Sequence, residues 1–501
     1  MAPENGVHVG EADDGLPDEA QVEDLMTWRT NAHLLYDLFI RCDLEWPALS
    51  TAWLPDEADE PCRLAIGLHT DGSAPAEVIV AELCCGTADT VVQDDWRQWH
   101  VPGLGQVESL GCDVASDGGD ADAGAGPLRE LARFAHPTEV NRLLPCPRRG
   151  QLLATKTANG SVLLFDYKAP RSPGVVAPDA ELKPSNGSNA DGFALDWSAA
   201  SGSLLLLASG SNDGRLCVWQ VEDAPRCGGA CLLEAVSPHG GALCGLAFAK
   251  SPSPPAAPLA TVGDDGMMRF WDVRGGSTPV TEKRVSTGEV LSVAWSYQSD
   301  NMIATCGKES GINIWDFRMT HNKWPIRRLQ GHEGDIVVVH WAPFRSGVLA
   351  SCSTDGRLNI WDLQAEDPPD DSIEGTAKEL IFSHAGHTAG VSDFAWSSTD
   401  EFLLCSVGED NCLHIWQPNS DVYECEEGGA REDVGQEGRE GREDSDGGGD
   451  GASGRTDGGA VACSGVAQES GRDAGAVSTD GGSAGGENEG EPPAAKRPRS
   501  G

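Results

Sequence analysis

Two histidines of this chain stand at a fixed distance before an aspartate, a pairing of residue types that occurs in catalytic charge pairs. His332 precedes Asp355 and His387 precedes Asp410 at the same spacing, and each histidine follows a glycine. A catalytic pair also needs a nucleophile, and none recurs at a constant position. The same residues can instead share a buried hydrogen-bond network that stabilises a repeat. The pattern favours this structural role, so we expect contacts within each pair.

Other residues that could support catalysis or hold a metal are not arranged for it. The sequence contains no phosphate-binding glycine loop with a lysine, no HExxH motif and no nucleophile elbow. Its 16 cysteines are scattered, without a CxxC pair, and several lie in strand-like runs. This placement favours reduced core thiols over disulfides or zinc ligands. We therefore predict a non-enzymatic protein with no metal and no other cofactor.

The histidine-paired aspartates belong to a pattern that occurs six times. A turn residue is followed six positions later by an aromatic residue that ends an apolar strand. The pairs are Asn159 and Phe165, Asp213 and Trp219, Asp265 and Trp271, Glu309 and Trp315, Asp355 and Trp361, and Asp410 and Trp416. The aromatic residues are spaced like those of WD-type propeller blades. Strand-like runs before residue 134 can complete a seventh blade, so we predict an all-β, seven-bladed propeller.

The rest of the chain divides by composition. Residues 1–17 are acidic, and we expect them to be disordered. Leu25, Trp28, Ala32, Leu35 and Phe39 are spaced as one apolar face of a helix, which we predict over 18–45. The propeller is then expected over 46–423, with acidic inserts near 103–127 and 365–378. A disordered acidic tail is predicted over 424–501.

The tail ends in a short basic cluster, and this cluster bears on localisation. Lys496, Arg497 and Arg499 lie between prolines in PPAAKRPRS. A basic run of this kind is typical of a nuclear import signal, which predicts a nuclear protein. The N-terminus has no secretory signal pattern, and no apolar run reaches the length of a membrane span.

The charge of the chain restricts its partners. The formal net charge is −43 at pH 7. Such a charge repels a phosphate backbone, so we expect no direct binding to nucleic acid and no membrane partner. A basic protein is the natural complement, although solubility alone also accounts for the charge.

Beyond the repeats, several segments have a more specific pattern. They are WRTNAHLLYDLFIRCDLEWPALSTAWLP over 28–55, RLAIGLHT over 63–70 and HPTEVNRLLPCPRRGQLLATKTANGSVLLFDY over 136–167. With HAGHTAGVSDFAW and CSVGEDNCLHIWQ in the last repeat, they resemble the Msi-type histone-binding WD-repeat family. This family includes the retinoblastoma-binding histone chaperones and the small subunit of chromatin assembly factor. The resemblance implies a non-enzymatic adaptor that binds histones 3 and 4 in chromatin assembly, deacetylase, acetyltransferase or Polycomb complexes.

The resemblance also implies two binding sites. A side groove beside the N-terminal helix holds a helix of histone 4, and its matching residues are Leu34, Leu35, Phe382 and Val422, with Asp370, Asp371 and Glu374 as an acidic wall. For Leu34 and Leu35, simple docking of the helix on the propeller remains an alternative role.

The second implied site lies on the top face of the propeller and holds the tail of histone 3. Matching positions are Glu45, Trp46, Pro47, His69, Glu139, Asn141, Arg142, Glu289, Asp335 and Glu409. Asp191 and Phe193 replace a usual Glu and Tyr, and Cys244 and Leu291 replace a usual Glu and Asn. These changes shorten or remove polar partners for Lys and Arg, so we expect a weaker site there than in the side groove.

An alternative function remains open. Arg274 and Arg318 end two copies of a WDxR pattern, WDVR and WDFR. This pattern resembles the box of WD-repeat substrate receptors that bind the adaptor of cullin-RING ubiquitin ligases. It predicts a ligase receptor if the histone sites are degenerate.

Overall fold

The computed structural model describes residues 19–423, with gaps in the loops. The undescribed positions within this range are 56–60, 71, 73, 85–126, 170–177, 186–188, 199–204, 222–228, 237, 251–257, 300, 320 and 366–376. The predictions for 1–17, for the tail and for most of both acidic inserts therefore lie outside the described residues. Among the described helices, none is long and apolar enough to cross a membrane.

Seven antiparallel sheets of four strands make up the body of the protein. The first five strands are β1 (Tyr36–Asp43), β2 (Ala48–Trp53), β3 (Arg63–Leu68), β4 (Ala76–Leu83) and β5 (Leu128–His136). The next two blades contain β6 (Val140–Cys146), β7 (Arg149–Thr157), β8 (Val162–Asp166), β9 (Ala180–Leu182), β10 (Leu195–Trp197), β11 (Leu205–Gly210), β12 (Leu216–Val221) and β13 (Gly229–Ala235).

The remaining strands continue the same order. They are β14 (Leu243–Phe248), β15 (Pro258–Gly263), β16 (Met267–Asp272), β17 (Thr281–Arg284), β18 (Val290–Trp295), β19 (Met302–Gly307), β20 (Gly311–Asp316), β21 (Arg327–Gln330), β22 (Ile336–Trp341), β23 (Val348–Ser353), β24 (Leu358–Asp362), β25 (Leu380–His384), β26 (Val391–Trp396), β27 (Leu404–Gly408) and β28 (Cys412–Pro418). Short 3-10 helices occupy Phe317–Met319 and Ser420–Val422.

The blades follow one another along the chain and close into a ring. Blade 1 is β2–β5, blades 2 to 6 take four consecutive strands each, and blade 7 joins β26–β28 to β1. The inner strands of neighbouring blades pack together, including β2 against β26 where the ring closes. A closed ring of blades leaves only short sheet edges. The predicted seven-bladed propeller is confirmed.

The repeated turn residue and aromatic residue have separate structural roles. The aromatic lies on the third strand of each blade and is buried, as Trp361 is in blade 6. The turn aspartate accepts a hydrogen bond from the backbone N–H two residues later, at 2.9 Å from Arg357 to Asp355. Gly356 between them has φ = 77°, which glycine adopts without strain. The repeat thus encodes the tight turn that joins the second strand to the third.

The N-terminal helix is shorter than the sequence pattern predicts. Helix α1 spans Glu19–Leu35, and Tyr36–Asp43 is a strand. Phe39, predicted on the helix, lies instead on β1 opposite Trp416. Pairing with β28 satisfies the backbone of this segment and supplies the fourth strand of blade 7, which a longer helix would leave open.

The buried face of α1 attaches to blades 6 and 7. Trp28 and Ala32 are buried in the same apolar cluster as Phe382 and Trp416. A Cβ atom on Gly386 would lie 2.8 Å from the Trp28 ring, so the helix packs directly against the backbone of the loop before β26. The helix is therefore fixed to the propeller on one side, while Leu34 on another side is 64% exposed.

Candidate functional site

The predicted contact between His332 and Asp355 is part of a four-residue network. The His332 Nδ1 atom lies 2.9 Å from the Asp355 carboxylate, and Nε2 lies 2.8 Å from the Ser351 hydroxyl. The Trp361 indole N–H donates to the same hydroxyl at 2.9 Å. Burial opposes ionisation of Asp355, but hydrogen bonds from His332 and from backbone N–H groups outweigh it and lower the pKa of this carboxyl.

Blade 7 repeats this arrangement. His387 contacts Asp410 at 3.1 Å through Nδ1 and Ser406 at 2.9 Å through Nε2, and Trp416 donates to Ser406. A third copy in blade 4 joins His239 to Asp265. The sequence analysis missed the third copy because its histidine follows a proline instead of a glycine and stands at a different spacing.

These networks have the order of a serine–histidine–aspartate triad but not its access. Ser351 and Ser406 are fully buried. Each hydroxyl accepts the indole N–H and donates its own proton to histidine, so both its hydrogen-bonding capacities are used. No substrate carbonyl can approach these oxygen atoms, and the geometry supports a scaffold role.

A second hydrogen-bonded chain joins α1 to blade 7. The Trp28 indole donates to the Tyr36 hydroxyl at 2.8 Å, and that hydroxyl lies 2.6 Å from His384 Nδ1. His384 Nε2 lies 3.1 Å from His414 Nδ1. Because Tyr36 accepts from Trp28, it donates to His384, which in turn donates to His414. All of these side chains are buried, and the sequence analysis did not identify the chain.

His384, His387 and His414 also place ring nitrogens close enough together to be considered as metal ligands. The rings of His387 and His414 are stacked, with centroids 4.0 Å apart and planes at 22°. A coordinated ion lies in the plane of each imidazole ring, and two nearly parallel planes do not meet within bonding distance of both rings. The cluster in this form favours packing and hydrogen bonding over metal binding.

The predicted side-groove residues lie along one margin of α1. Leu35, Phe382 and Val422 belong to or pack against one apolar cluster, and the Leu35 carbonyl accepts a hydrogen bond from the Asn419 N–H at 2.8 Å. Leu34 is outside this cluster and faces solvent. The structure therefore brings an exposed leucine beside a partly exposed apolar seam. The acidic residues Asp370, Asp371 and Glu374 lie outside the described residues.

The predicted top-face residues lie at one end of the propeller because of the strand topology. In every blade the first strand begins where the second ends, as Val391 pairs with Gly408 and Ile336 with Ser353. Residues that enter a first strand or leave a second strand therefore share a face. They include Glu45, Trp46, Pro47, His69, Glu139, Asn141, Asp191, Phe193, Glu289, Asp335 and Glu409.

Several of these residues already have partners. Asn141 donates to Asp191 and to the Gly192 carbonyl, and Lys308 lies 2.9 Å from Glu289. His69 and Glu139 are 3.6 Å apart, an ion-pair distance that is too long for a hydrogen bond. Phe193 is 48% exposed.

Arg142 occupies a different position from the rim residues. Its guanidinium forms a 2.8 Å ion pair with Asp393 and lies 3.2 Å from His340 Nε2. Asp393 and His340 are buried, and burial raises the pKa of Asp393 and lowers that of His340 to about 3. Asp393 also accepts from the Ser50 hydroxyl at 2.7 Å. Arg142 therefore links inner strands of several blades, and its predicted contact with a peptide competes with this role.

The substituted rim position at Cys244 has compensating neighbours. Burial, together with the nearby Asp264 and Glu289 carboxylates, raises the pKa of Cys244 to about 11, so its thiol is neutral. Asp264 is exposed and follows β15 at the position that Glu409 occupies after β27. This equivalence is visible in the repeat, but the sequence analysis did not use it. Asp264 thus supplies an acidic group beside the position where Cys244 cannot.

Arg274 and Arg318 lie at the opposite end of the propeller, where third strands end. Their side chains are 61% and 68% exposed, and each bonds to the aspartate two residues before it. The hydrogen bonds from Arg274 lower the pKa of Asp272, and those from Arg318 lower the pKa of Asp316. Lys496, Arg497 and Arg499 lie outside the described residues.

Comparison with known protein families decides the affiliation of the chain. Residues 23–85 match a family model described as the histone-binding protein RBBP4 or a component of the CAF1 complex. Residues 278–316, 323–362 and 378–417 match the WD domain, G-beta repeat. The chain belongs to the Msi-type histone-binding WD-repeat family. In this chain the family's histone-binding segment covers α1, β1 and most of blade 1, and each matched repeat takes its first strand from the preceding blade.

Family membership sets the broad function. The chain is a histone-binding WD-repeat adaptor of a chromatin-associated family, and its propeller is of a typically non-catalytic kind. The individual histone contacts and the complexes that include this chain are matters for proposal.

Proposed function

We propose that this protein binds a helix of histone 4 in the groove beside α1. The observation that carries the proposal is the exposure of Leu34 next to the apolar seam of Leu35, Phe382 and Val422. An amphipathic helix can place apolar side chains against such a seam, while its Arg and Lys meet carboxylates at the margin. Asp370, Asp371 and Glu374 are the carboxylates that we assign to this margin.

Titration calorimetry with a peptide of the first histone 4 helix tests this proposal. Leu34→Asp places a charge in the groove without opening the core, because Leu34 is exposed. Met26→Asp is the matched control, since Met26 is also exposed but lies two turns earlier on the other flank of the helix. We expect Leu34→Asp to weaken binding by about tenfold or more and Met26→Asp to leave it unchanged. Equal effects, or no binding by the wild type, would reject the groove.

We propose a second, weaker site for the histone 3 tail on the top face. Asp264, Glu289, Asp335 and Glu409 are carboxylates at this end of four consecutive blades. A basic peptide that crosses the face meets them together. Phe193 offers an exposed ring to a cationic side chain.

The top-face proposal requires its own variants. Asp335→Asn with Glu409→Gln removes two rim charges, and Glu401→Gln, in the loop between β26 and β27 at the opposite end, is the control. We expect the rim variant alone to weaken binding of a histone 3 N-terminal peptide. Unchanged binding in both variants would exclude this face, and the histone 4 titration would be unaffected.

One observation keeps the cullin-RING receptor as a second candidate function. Arg274 and Arg318 are exposed at equivalent positions of blades 4 and 5. If this face binds a ligase adaptor, Arg274→Ala with Arg318→Ala will abolish co-purification with the adaptor. Retained co-purification, or none by the wild type, would remove the candidate.

We also propose that the protein acts in the nucleus, with Lys496, Arg497 and Arg499 as its import signal. Replacing the three residues by alanine is expected to leave a fluorescent fusion in the cytoplasm. Affinity purification from nuclear extract then distinguishes assembly, deacetylase, acetyltransferase and Polycomb complexes.

A further inference from the structure

Four exposed apolar side chains lie on two neighbouring blades, away from both proposed histone sites. Val280 (70% exposed), Met319 (44%), Trp324 (74%) and Ile326 (51%) are four of the eleven large apolar residues exposed in the described part of the chain. We call them the Trp324 surface. Single exposed apolar residues are normal, whereas a cluster marks an interaction site.

Their positions in the fold bring these residues together. The Val280 N–H bonds to the Phe270 carbonyl at the entry to β17, and the Ile326 N–H bonds to the Ile314 carbonyl at the entry to β21. The two residues therefore hold equivalent places on adjacent outer strands. The rings of Phe270 and Phe317 are 4.8 Å apart and join the two blades at this point.

The loop that carries Trp324 is held in place. The Lys283 ammonium, on the outer strand of blade 4, donates to the Asn322 carbonyl at 2.6 Å and to the Met319 carbonyl at 3.4 Å. It also lies 4.4 Å from the centre of the Trp315 ring. Burial lowers the pKa of Lys283. The exposure of Trp324 is thus a feature of a fixed loop with bonds to the next blade.

The charge of this loop is opposite to that of the protein. Residues 317–328, FRMTHNKWPIRR, contain four basic residues and no acidic one, in a chain with net charge −43. Arg327 bonds to Glu379 and Arg328 to Glu309, and both arginine side chains are more than 40% exposed. Exposed pairs of this kind contribute little and can be exchanged for another carboxylate. Lys323 lies 5.1 Å from the Trp324 ring.

We propose that the Trp324 surface is a docking site for an acidic peptide segment of another protein that has a large apolar anchor. The anchor packs on Trp324 and Ile326, and the acidic residues of the segment face Lys323, Arg327 and Arg328. Trp and Arg are the residues that most often dominate interface energies. A protein segment is favoured over nucleic acid because the rest of the acidic propeller repels a long phosphate backbone.

Selection from a display library of random 12-residue peptides tests the proposal directly. The intact wild-type protein is the target, and Trp324→Ala is the counter-selection. Val236→Ala is the matched control, because Val236 is 66% exposed beside β13 in a different blade. We expect the enriched peptides to carry net negative charge and a Phe, Trp or Leu.

Fluorescence anisotropy with one enriched peptide gives the size of the effect. We expect Trp324→Ala to raise its Kd about tenfold or more, Val236→Ala to leave it unchanged, and added salt to weaken it. Thermal melting confirms that both variants are folded. Failure to enrich any Trp324-dependent peptide, enrichment of basic peptides, or Trp324-dependent binding of a labelled single-stranded DNA would each overturn the proposal. Histone 4 peptide binding is expected to be the same in all variants, so this test is independent of the side groove.

Discussion

At the scale of single residues, the repeat encodes buried hydrogen bonds more than it encodes binding. His332, Asp355, Ser351 and Trp361 satisfy one another in the interior of blade 6. The spacing of histidine and aspartate predicted the first contact correctly. It did not predict the serine and tryptophan, because their part in the network depends on side-chain directions across three strands. The residues that the sequence suggests for chemistry therefore serve the scaffold.

Removal of His332 tests this role. His332→Ala leaves the Ser351 hydroxyl and the Asp355 carboxylate without their shared partner, so we expect a loss of about 1–3 kcal/mol of unfolding free energy. Urea denaturation followed by tryptophan fluorescence measures the change. His321→Ala is the control, because His321 is exposed. A His332→Ala variant as stable as the wild type would show that the network contributes nothing.

Buried histidines also predict how stability depends on pH. Burial lowers the folded-state pKa of His384 and His414 well below 6.5. Between pH 6.5 and the folded-state pKa, the unfolded chain binds protons that the folded protein does not. Stability is therefore full above pH 6.5 and falls as pH decreases, by about 1.4 kcal/mol per histidine for each pH unit.

The variant His414→Gln separates this effect from general acid denaturation. Glutamine can accept the hydrogen bond from His384 but does not titrate. We expect its unfolding midpoint to fall less steeply than that of the wild type between pH 7.5 and 5.5. Parallel slopes would mean that His414 does not contribute to the pH dependence.

At the scale of elements, the strands were easier to predict than the helix boundary. The six turn-and-aromatic pairs placed the third strand of six blades, because each pair is a local signal of turn chemistry followed by a buried strand. Leu35 and Phe39 fit a helical spacing as well as a strand that follows a helix. The choice is made by β28, whose free edge pairs with residues 36–43 from the far end of the chain. A contact over such a separation leaves no local signal.

The joint between β1 and the rest of blade 7 is expected to be important for stability. Phe39 is buried, with ring centroids 5.6 Å from Trp28 and 5.2 Å from His414. Phe39→Ala is expected to cost about 3–5 kcal/mol because the cavity is enclosed by blade 7 and α1. Leu34→Ala, nearby in the sequence but exposed, should change stability by less than about 0.5 kcal/mol. Chemical denaturation of both variants checks the contrast, and similar losses would contradict this packing.

At the scale of the whole molecule, the propeller is a closed acidic platform with separate surfaces. The strand topology places the rim carboxylates at one end, Arg274 and Arg318 at the other, and the α1 groove on the side of blades 6 and 7. Sequence resemblance identified most rim positions but missed Asp264, which replaces the acidic function lost at Cys244. The Trp324 surface had no counterpart in the sequence analysis, because exposure and clustering of apolar residues are properties of the folded ring.

The measurement that tests the account most directly is amide hydrogen exchange of the intact protein with and without the histone 4 helix peptide. If the side groove is the binding site, slower exchange will appear at the end of α1, in β25 and in Ser420–Val422. The rim loops before β18 and β22 will exchange as they do in the free protein. Protection confined to the rim loops, or no change in α1 and β25 at saturating peptide, would contradict the proposal that this family member holds histone 4 beside its N-terminal helix.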